Sequence, residues 1–269
     1  MDRIEGDLSR ELMDTAEALA DAAGKVILPY FRQHGLTTEN KAGGAGFDPV
    51  TAADRAAERA MRDLLAQRRP NDAILGEEYG TSAGDSGLTW VLDPIDGTRG
   101  FMSGTPTWGV LIAVRDAQGP LYGVIDQPYT NERFRGGFGR ADFAGPHGGG
   151  ALGTRDTTRL DQAILFTTFP EVGTPDDRAG FDRVAAQARL VRYGMDCYAY
   201  ALLAAGQIDL VIEAGLQTYD IMAPIAVIEA AGGIVTNWEG GPVHDGGRAV
   251  AAANPRIHAA ALDFLHRKG

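Results

Sequence analysis

Apolar residues between positions 8 and 31 recur at steps of three and four: Leu8, Leu12, Ala16, Leu19, Ala20, Ala23, Val26, Ile27, Tyr30 and Phe31. That is the period of one helix face, so an amphipathic helix with a buried stripe is predicted there. The glycine-rich run 41–47 interrupts the pattern and predicts a mobile loop ahead of Asp48-Pro49-Val50-Thr51. A second helix is predicted over 52–67, with Ala56, Ala57, Ala60, Met61, Leu64 and Leu65 on its buried side.

After Pro70 the pattern changes to short apolar runs closed by turn residues, which predicts strands. They fall at 73–75 before Gly76-Glu77-Glu78, at 88–92 before Asp93-Pro94, in a hairpin of 108–115 and 121–126 around the turn 116–119, and at 133–138. Beyond residue 158 strands and helices alternate. Strands are predicted at 163–167, 209–213 and 234–236. Helices are predicted near 181–188, at 195–205 stopped by Gly206, at 220–231 stopped by Gly232-Gly233, and before Lys268. The expected organisation is an α+β half over 1–158, carrying an antiparallel sheet, and an α/β half over 159–269.

Composition narrows the function classes. The 269 residues carry 25 Lys and Arg against 36 Asp and Glu, a formal net charge of −11 with no basic run, which argues against nucleic acid or an anionic membrane as partner. A hydrophobic content of 44% is enough to bury a substantial core. The single Cys197 cannot form an intramolecular disulfide and favours a reducing compartment. Residues 1–14 alternate charges without an apolar stretch behind a basic start, so no signal peptide is expected. No apolar run approaches the ~20 residues a membrane span needs. A cytoplasmic protein is therefore expected.

Several motifs carry no chemistry. Gly148-Gly149-Gly150-Ala151-Leu152-Gly153 satisfies the letters of a dinucleotide fingerprint but lacks the strand before it and the helix after it, so a surface loop is expected. The five histidines are scattered without zinc-ligand spacing. Ser103 lacks a nucleophile elbow, and Cys197 reads as a small buried residue on a helix.

Leu92-Asp93-Pro94-Ile95-Asp96-Gly97-Thr98 is different. It ends a β run with two carboxylates, Pro94 bends the chain between them, and Gly97-Thr98 opens a helical turn. Acids at a strand end can share one centre, and such oxygen ligands suit Mg²⁺ or Mn²⁺ rather than zinc or copper. The N–H groups of Gly97 and Thr98 would seat a phosphate beside that cation. Taken alone, the string is equally an Asp-Pro and Asp-Gly turn pair. Three further acidic segments add weight: Gly76-Glu77-Glu78, Asp48-Pro49-Val50-Thr51, and Tyr219-Asp220 opening a helix with Pro224 in its first turn. Each alone has a plain reading as loop charge, turn residue or N-cap.

Together, and in this order, the four segments resemble the inositol monophosphatase family of Mg²⁺-dependent, lithium-sensitive phosphatases, over nearly the whole chain. The resemblance implies a layered α-β-α-β-α sandwich. It implies a cluster of two or three Mg²⁺ ions, with Mn²⁺ as an alternative, held by Glu77, Asp93, the carbonyl of Ile95, Asp96 and Asp220. It further implies that Gly97 and Thr98 hold the phosphate, that Asp48 and Thr98 orient the attacking water, that Glu77 takes part in its activation, and that Lys41 lies on a loop closing over the site. A homodimer is implied as well. Tyr219, where the inositol-specific branch usually has Trp, and Met222 in place of a small residue depart from that branch.

Trp90 to Arg99, Gly123-Val-Ile-Asp-Gln-Pro128, and Tyr193 to Tyr200 with Asp209 to Glu213 look more like the histidinol-phosphate phosphatase branch. Histidinol phosphate carries an ammonium and an imidazole, so its tail calls for carboxylates, for which Asp196 and Glu213 are the candidates. Their plain reading is surface charge on a helix and at a strand end. The expected activity is hydrolysis of a small phosphate monoester, histidinol phosphate to histidinol, by in-line attack of a metal-activated water without a phosphoenzyme. The rivals are an inositol-1-phosphatase, a broad phosphomonoesterase, or a non-catalytic metal- or phosphate-binding regulator.

Overall fold

The apolar stripe of the first segment forms α1 (Asp7–Ile27) in a computed structural model that describes residues 6–33, 38–40 and 49–267. A 3₁₀ turn at Leu28–Tyr30 ends it. The short strands β1 (Thr38–Asn40) and β2 (Pro49–Thr51) pair antiparallel, and α2 (Ala52–Arg68) follows. The loop expected over 41–47, with Lys41, and the neighbouring Asp48 lie outside the described residues.

Eight strands then make the larger sheet: β3 (Ala73–Gly76), β4 (Gly80–Ser82), β5 (Thr89–Asp96), β6 (Gly109–Asp116), β7 (Gly119–Gln127), β8 (Glu132–Gly137), β9 (Arg140–Gly145) and β10 (Gly148–Ala151). Their order is β10-β9-β8-β7-β6-β5-β3-β4, antiparallel throughout except for the parallel pair β3 and β5. The helix α3 (Thr98–Ser103) leaves directly from the end of β5.

The smaller sheet holds β11 (Ile164–Thr167), β12 (Leu190–Tyr193), β13 (Leu210–Leu216), β14 (Ile234–Asn237) and β15 (Gly247–Ala252). Its order is β12-β11-β13-β15-β14, and β12, β11 and β13 run parallel. Four helices accompany it: α4 (Pro175–Ala185), α5 (Cys197–Ala204), α6 (Thr218–Ala230) and α7 (Pro255–His266).

Alternation along the strands explains the layering. In β5 and β6, Trp90, Leu92, Val110 and Ile112 point outward to pack with α1 and α2, while Val91, Leu111 and Ala113 point inward to α5 and α6. In the smaller sheet Val211 and Ala251 join that central core, whereas Leu210, Ile212, Val250 and Ala252 pack beneath α4 and α7. The central strands of both sheets are thus buried on two faces, which is why β5, β6 and the first half of β13 read as continuous apolar runs. The run Ile221 to Ile228 of α6 is buried throughout, as a helix between two sheets must be. The result is the layered α-β-α-β-α sandwich that the resemblance implies. Among the described residues no helix is long and apolar enough to cross a membrane.

Ion pairs fasten the outer layer. Arg133 on β8 binds Glu17 and Asp21 of α1 at 2.8 Å and the buried Asp126 at 2.7 Å, and Arg135 adds a 2.5 Å bond to Glu17. The arginine keeps Asp126 from being an unpaired buried charge.

Several boundaries differ from expectation. Residues 148–151 form an edge strand on β9 rather than a loop, because hydrogen bonding to Phe143 and its neighbours needs no side-chain signal. The expected helix at 181–188 instead spans Pro175–Ala185, started by a capping box between Thr174 and Asp177, and residues 190–193 become β12. Strand β5 runs through Asp93-Pro94-Ile95-Asp96, with a register irregularity between the two acids that absorbs Pro94. Pro224 lies inside α6 rather than in its first turn, since the helix begins at Thr218.

Candidate active site

The parallel strands of the two sheets bring the acids together. Glu77 follows β3, and Asp93 and Asp96 close β5, the parallel neighbour of β3. Across the central layer, Thr168 follows β11, Asp196 follows β12, and Glu213 lies midway along β13, just past its parallel pairing with β11; these three strands run the same way. Carboxyl ends of parallel strands are where loops can converge on a ligand. Asp220 joins from the first turn of α6.

One cleft of about 250 Å³ is lined by Glu77, Asp93, Ile95, Asp96, Gly97, Thr98, Asp196, Glu213 and Asp220, every expected site residue that the structure describes. Carboxylate oxygens of Asp93, Asp96 and Asp220 all lie within 4.8 Å of one another. Asp93 is 2% exposed, and its Oδ1 has no hydrogen-bond partner. Burial, then the charges of Glu77, Asp96 and Asp220, push the Asp93 carboxyl well above the usual carboxylate range. Burial and the charges of Asp196 and Asp220 do the same to Asp96, against the Cys197 N–H, which donates to Asp96 Oδ2 at 2.6 Å. So many adjacent acids cannot all ionise without cations. The orphaned Asp93 oxygen and the all-oxygen donor set fit a hard divalent ion.

Around the cluster the backbone is shaped for approach. Asp220 accepts the Gln217 N–H on Oδ2 at 2.6 Å, so the cap of α6 fixes the carboxylate. Gly97 has φ 84°, and a Cβ there would meet Asp196 Cγ at 2.8 Å, so only glycine permits this turn. The Thr98 hydroxyl donates to the Ile95 carbonyl at 3.1 Å, which leaves that carbonyl a second lone pair and leaves the Thr98 oxygen able to accept.

Asp196 and Glu213 are not surface charges. Glu213 is 6% exposed; its Oε1 accepts the Thr168 N–H and hydroxyl at 2.8 and 2.9 Å. Burial raises its pKa to about 7 despite those bonds. Asp196, at φ 46°, is raised to about 6 by burial, partly offset by the Thr107 hydroxyl and Arg99. Sequence reasoning missed Arg99, Thr168, Phe169 and Tyr200 as lining residues. Thr168 and Phe169 carry no motif, and only the parallel register of β11 with β13 locates them. Tyr200 is buried with an unpartnered hydroxyl, a signal visible only once α5 is packed. Cys197 is buried as expected, but its N–H is what the site uses.

Comparison with known proteins agrees with this construction. A profile of the inositol monophosphatase family matches residues 8–268. A chloroplastic bifunctional phosphatase of Arabidopsis thaliana is 40% identical, covering 97% of this chain and 79% of that protein. A histidinol-phosphatase of Mycobacterium tuberculosis is 34% identical over 96% of this chain and 99% of its own. The solved structure of an inositol monophosphatase from Zymomonas mobilis superposes with a TM-score of 0.85 at 38% identity, covering 98% of this chain and 100% of that one. The chain belongs to the inositol monophosphatase family, and with this acidic cleft it is a metal-dependent phosphoric monoester hydrolase acting on small phosphate monoesters.

Proposed function

We propose that the chain hydrolyses histidinol phosphate to histidinol with Mg²⁺ as cofactor. The observation that carries this reading is a pair of carboxylates, half-buried Asp196 and buried Glu213, in the same cleft as the metal acids but additional to them. Only one oxygen of Glu213 is occupied by Thr168, and a cationic tail would supply a partner for the other. A neutral polyol supplies no compensating charge.

Glu77, Asp93, the Ile95 carbonyl, Asp96 and Asp220 would hold two or three Mg²⁺ ions, with Mn²⁺ suited to the same oxygens. Bound there, the ions acidify water and neutralise charge on the phosphoryl group and leaving oxygen. The Gly97 and Thr98 N–H groups orient the phosphate, and the Thr98 oxygen can accept a hydrogen from the attacking water. Glu77 is the carboxylate at hand to take up the proton, while Asp48 as partner of Thr98 and Lys41 as a residue over the site complete the expected set. Direct attack by water without a phosphoenzyme is part of the same reading; burial and the charges of Asp96, Asp196 and Asp93 push the Cys197 thiol well above its ordinary pKa, which argues against it as a nucleophile. A homodimer and a cytoplasmic location belong to the same reading, through the family resemblance and the single cysteine.

Phosphate release from histidinol phosphate, inositol 1-phosphate and adenosine 3′,5′-bisphosphate, measured side by side with Mg²⁺, tests the proposal. The expected order puts histidinol phosphate first by about tenfold or more in kcat/KM, the worth of one charge-assisted contact. The second reading, an inositol-1-phosphatase, draws on the likeness to the Zymomonas mobilis enzyme and predicts the reverse order. Release from none of the three would point to a different small phosphate monoester as the substrate.

A further inference from the structure

The cleft does not end at the acids. A second cavity of about 280 Å³ adjoins it, sharing Arg99, Phe169, Glu213 and Ala214 and continuing along Glu171, Val172 and Gly173. Phe169 stands where the two cavities meet, 41% exposed, on the loop that follows β11. The Arg99 guanidinium lies over its ring, 4.6 Å from the centroid. Arg99 is the single cation among the described residues lining the cleft, in company with six carboxylates. We infer that the face of Phe169 is the cation seat for the substrate tail, held by Arg99 in the free enzyme and taken over by the ammonium or imidazolium end of the phosphate ester when it binds.

The inference rests on the cationic-substrate reading above and adds to it the surface that recognises the tail. An aromatic face attracts a cation through its quadrupole, and the attraction grows as water is excluded. Buried Glu213 on one side and Glu171 in the second cavity give that seat a negative surround. The ester also supplies Arg99 with another partner. Its phosphate brings negative charge to the Gly97-Thr98 turn, adjacent to Arg99 in the chain, so the guanidinium can leave the ring without losing electrostatic compensation. A neutral polyol brings no cationic charge to the ring and so forgoes the cation–π attraction, which makes the seat act on specificity and not on the phosphoryl chemistry.

The test compares the parent with Phe169→Leu, which keeps apolar bulk, and Phe169→Tyr, which keeps the aromatic face. Phe169→Leu is expected to raise KM for histidinol phosphate about tenfold with kcat unchanged, to leave KM for inositol 1-phosphate within about twofold, and Phe169→Tyr to restore the parent value. Equal KM changes for both esters, or none for histidinol phosphate, overturn the inference. Calorimetric binding of histidinol in the presence of inorganic phosphate reads the seat without turnover. If the parent prefers inositol 1-phosphate, the substrate reading fails. The seat itself still stands if Phe169→Leu weakens histidinol binding about tenfold, and it falls if histidinol does not bind or binds both proteins equally.

Discussion

Asp93→Asn will lose on the order of 10³-fold in kcat/KM with Mg²⁺, while the metal-free variant melts at the parent's temperature or above it. The two halves of this expectation have one cause. Asp93 is 2% exposed, its Oδ1 is unpartnered, and burial with three neighbouring acids already makes its ionisation costly in the metal-free protein. Replacing it by a neutral amide relieves repulsion there, so the fold loses no favourable charge pair. With the cations, the same carboxylate becomes an anionic ligand at the centre of the cluster, and an amide oxygen is a far poorer substitute. Loss of about 4 kcal/mol of transition-state stabilisation is what a thousandfold decrease represents. Thermal melts separate the two states. The parent should gain about 2.7 kcal/mol of stability at a Mg²⁺ concentration one hundred times Kd, and the variant should gain much less. A variant that keeps both the Mg²⁺-dependent shift and near-parental turnover would show that Asp93 is not part of the metal site.

The ease of reading this chain varied with the range of the interaction. The stripe from Leu12 to Ile27 is local, so α1 could be read from spacing alone. The acids of Asp93-Pro-Ile-Asp96 were legible because four residues of one strand carry them, although Pro94 disguised the continuation of β5. Two local signals, Pro175 at the start of α4 and the Thr174/Asp177 capping box, mark a helix start six residues before the apolar pattern does. The edge strands β4, β10 and β12 were not legible, because pairing through backbone groups puts little demand on Gly148 to Ala151 or on the exposed Gly80 to Ser82. What completes the cleft is non-local. The proximity of Thr168 to Glu213 depends on the parallel pairing of β11 and β13, and the Arg99–Phe169 contact joins the two sheets. Nothing in either segment announces the other.

A dependence of the site on distant packing appears in the seat of α6, where Gly136→Val should cost about 3 kcal/mol in stability and about a hundredfold in kcat. Gly123 on β7 and Gly136 on β8 are cross-strand partners, and α6 lies directly on them. A Cβ on Gly136 would stand 2.4 Å from Val227 Cα and 2.5 Å from the Ala226 carbonyl oxygen; one on Gly123 would stand 2.6 Å from the Ala223 carbonyl oxygen. These are backbone atoms of the helix, so no rotamer change relieves the overlap and the helix itself must move. Its first turn carries Asp220, whose carboxylate must stay within 4.8 Å of oxygens on Asp93 and Asp96, and those two belong to a strand of the same sheet. Lifting α6 therefore separates Asp220 from its partners, and a displacement of about 1 Å at a reacting centre is enough for the loss of rate given. Gly153→Ala is the control, since a Cβ there meets nothing within 4 Å. Urea unfolding and Mg²⁺-dependent turnover, measured on both variants, read the two effects. If Gly136→Val unfolds at the parental midpoint with parental kcat, α6 is not held by the glycine pair, and the position of Asp220 must be fixed from its N-terminal cap alone.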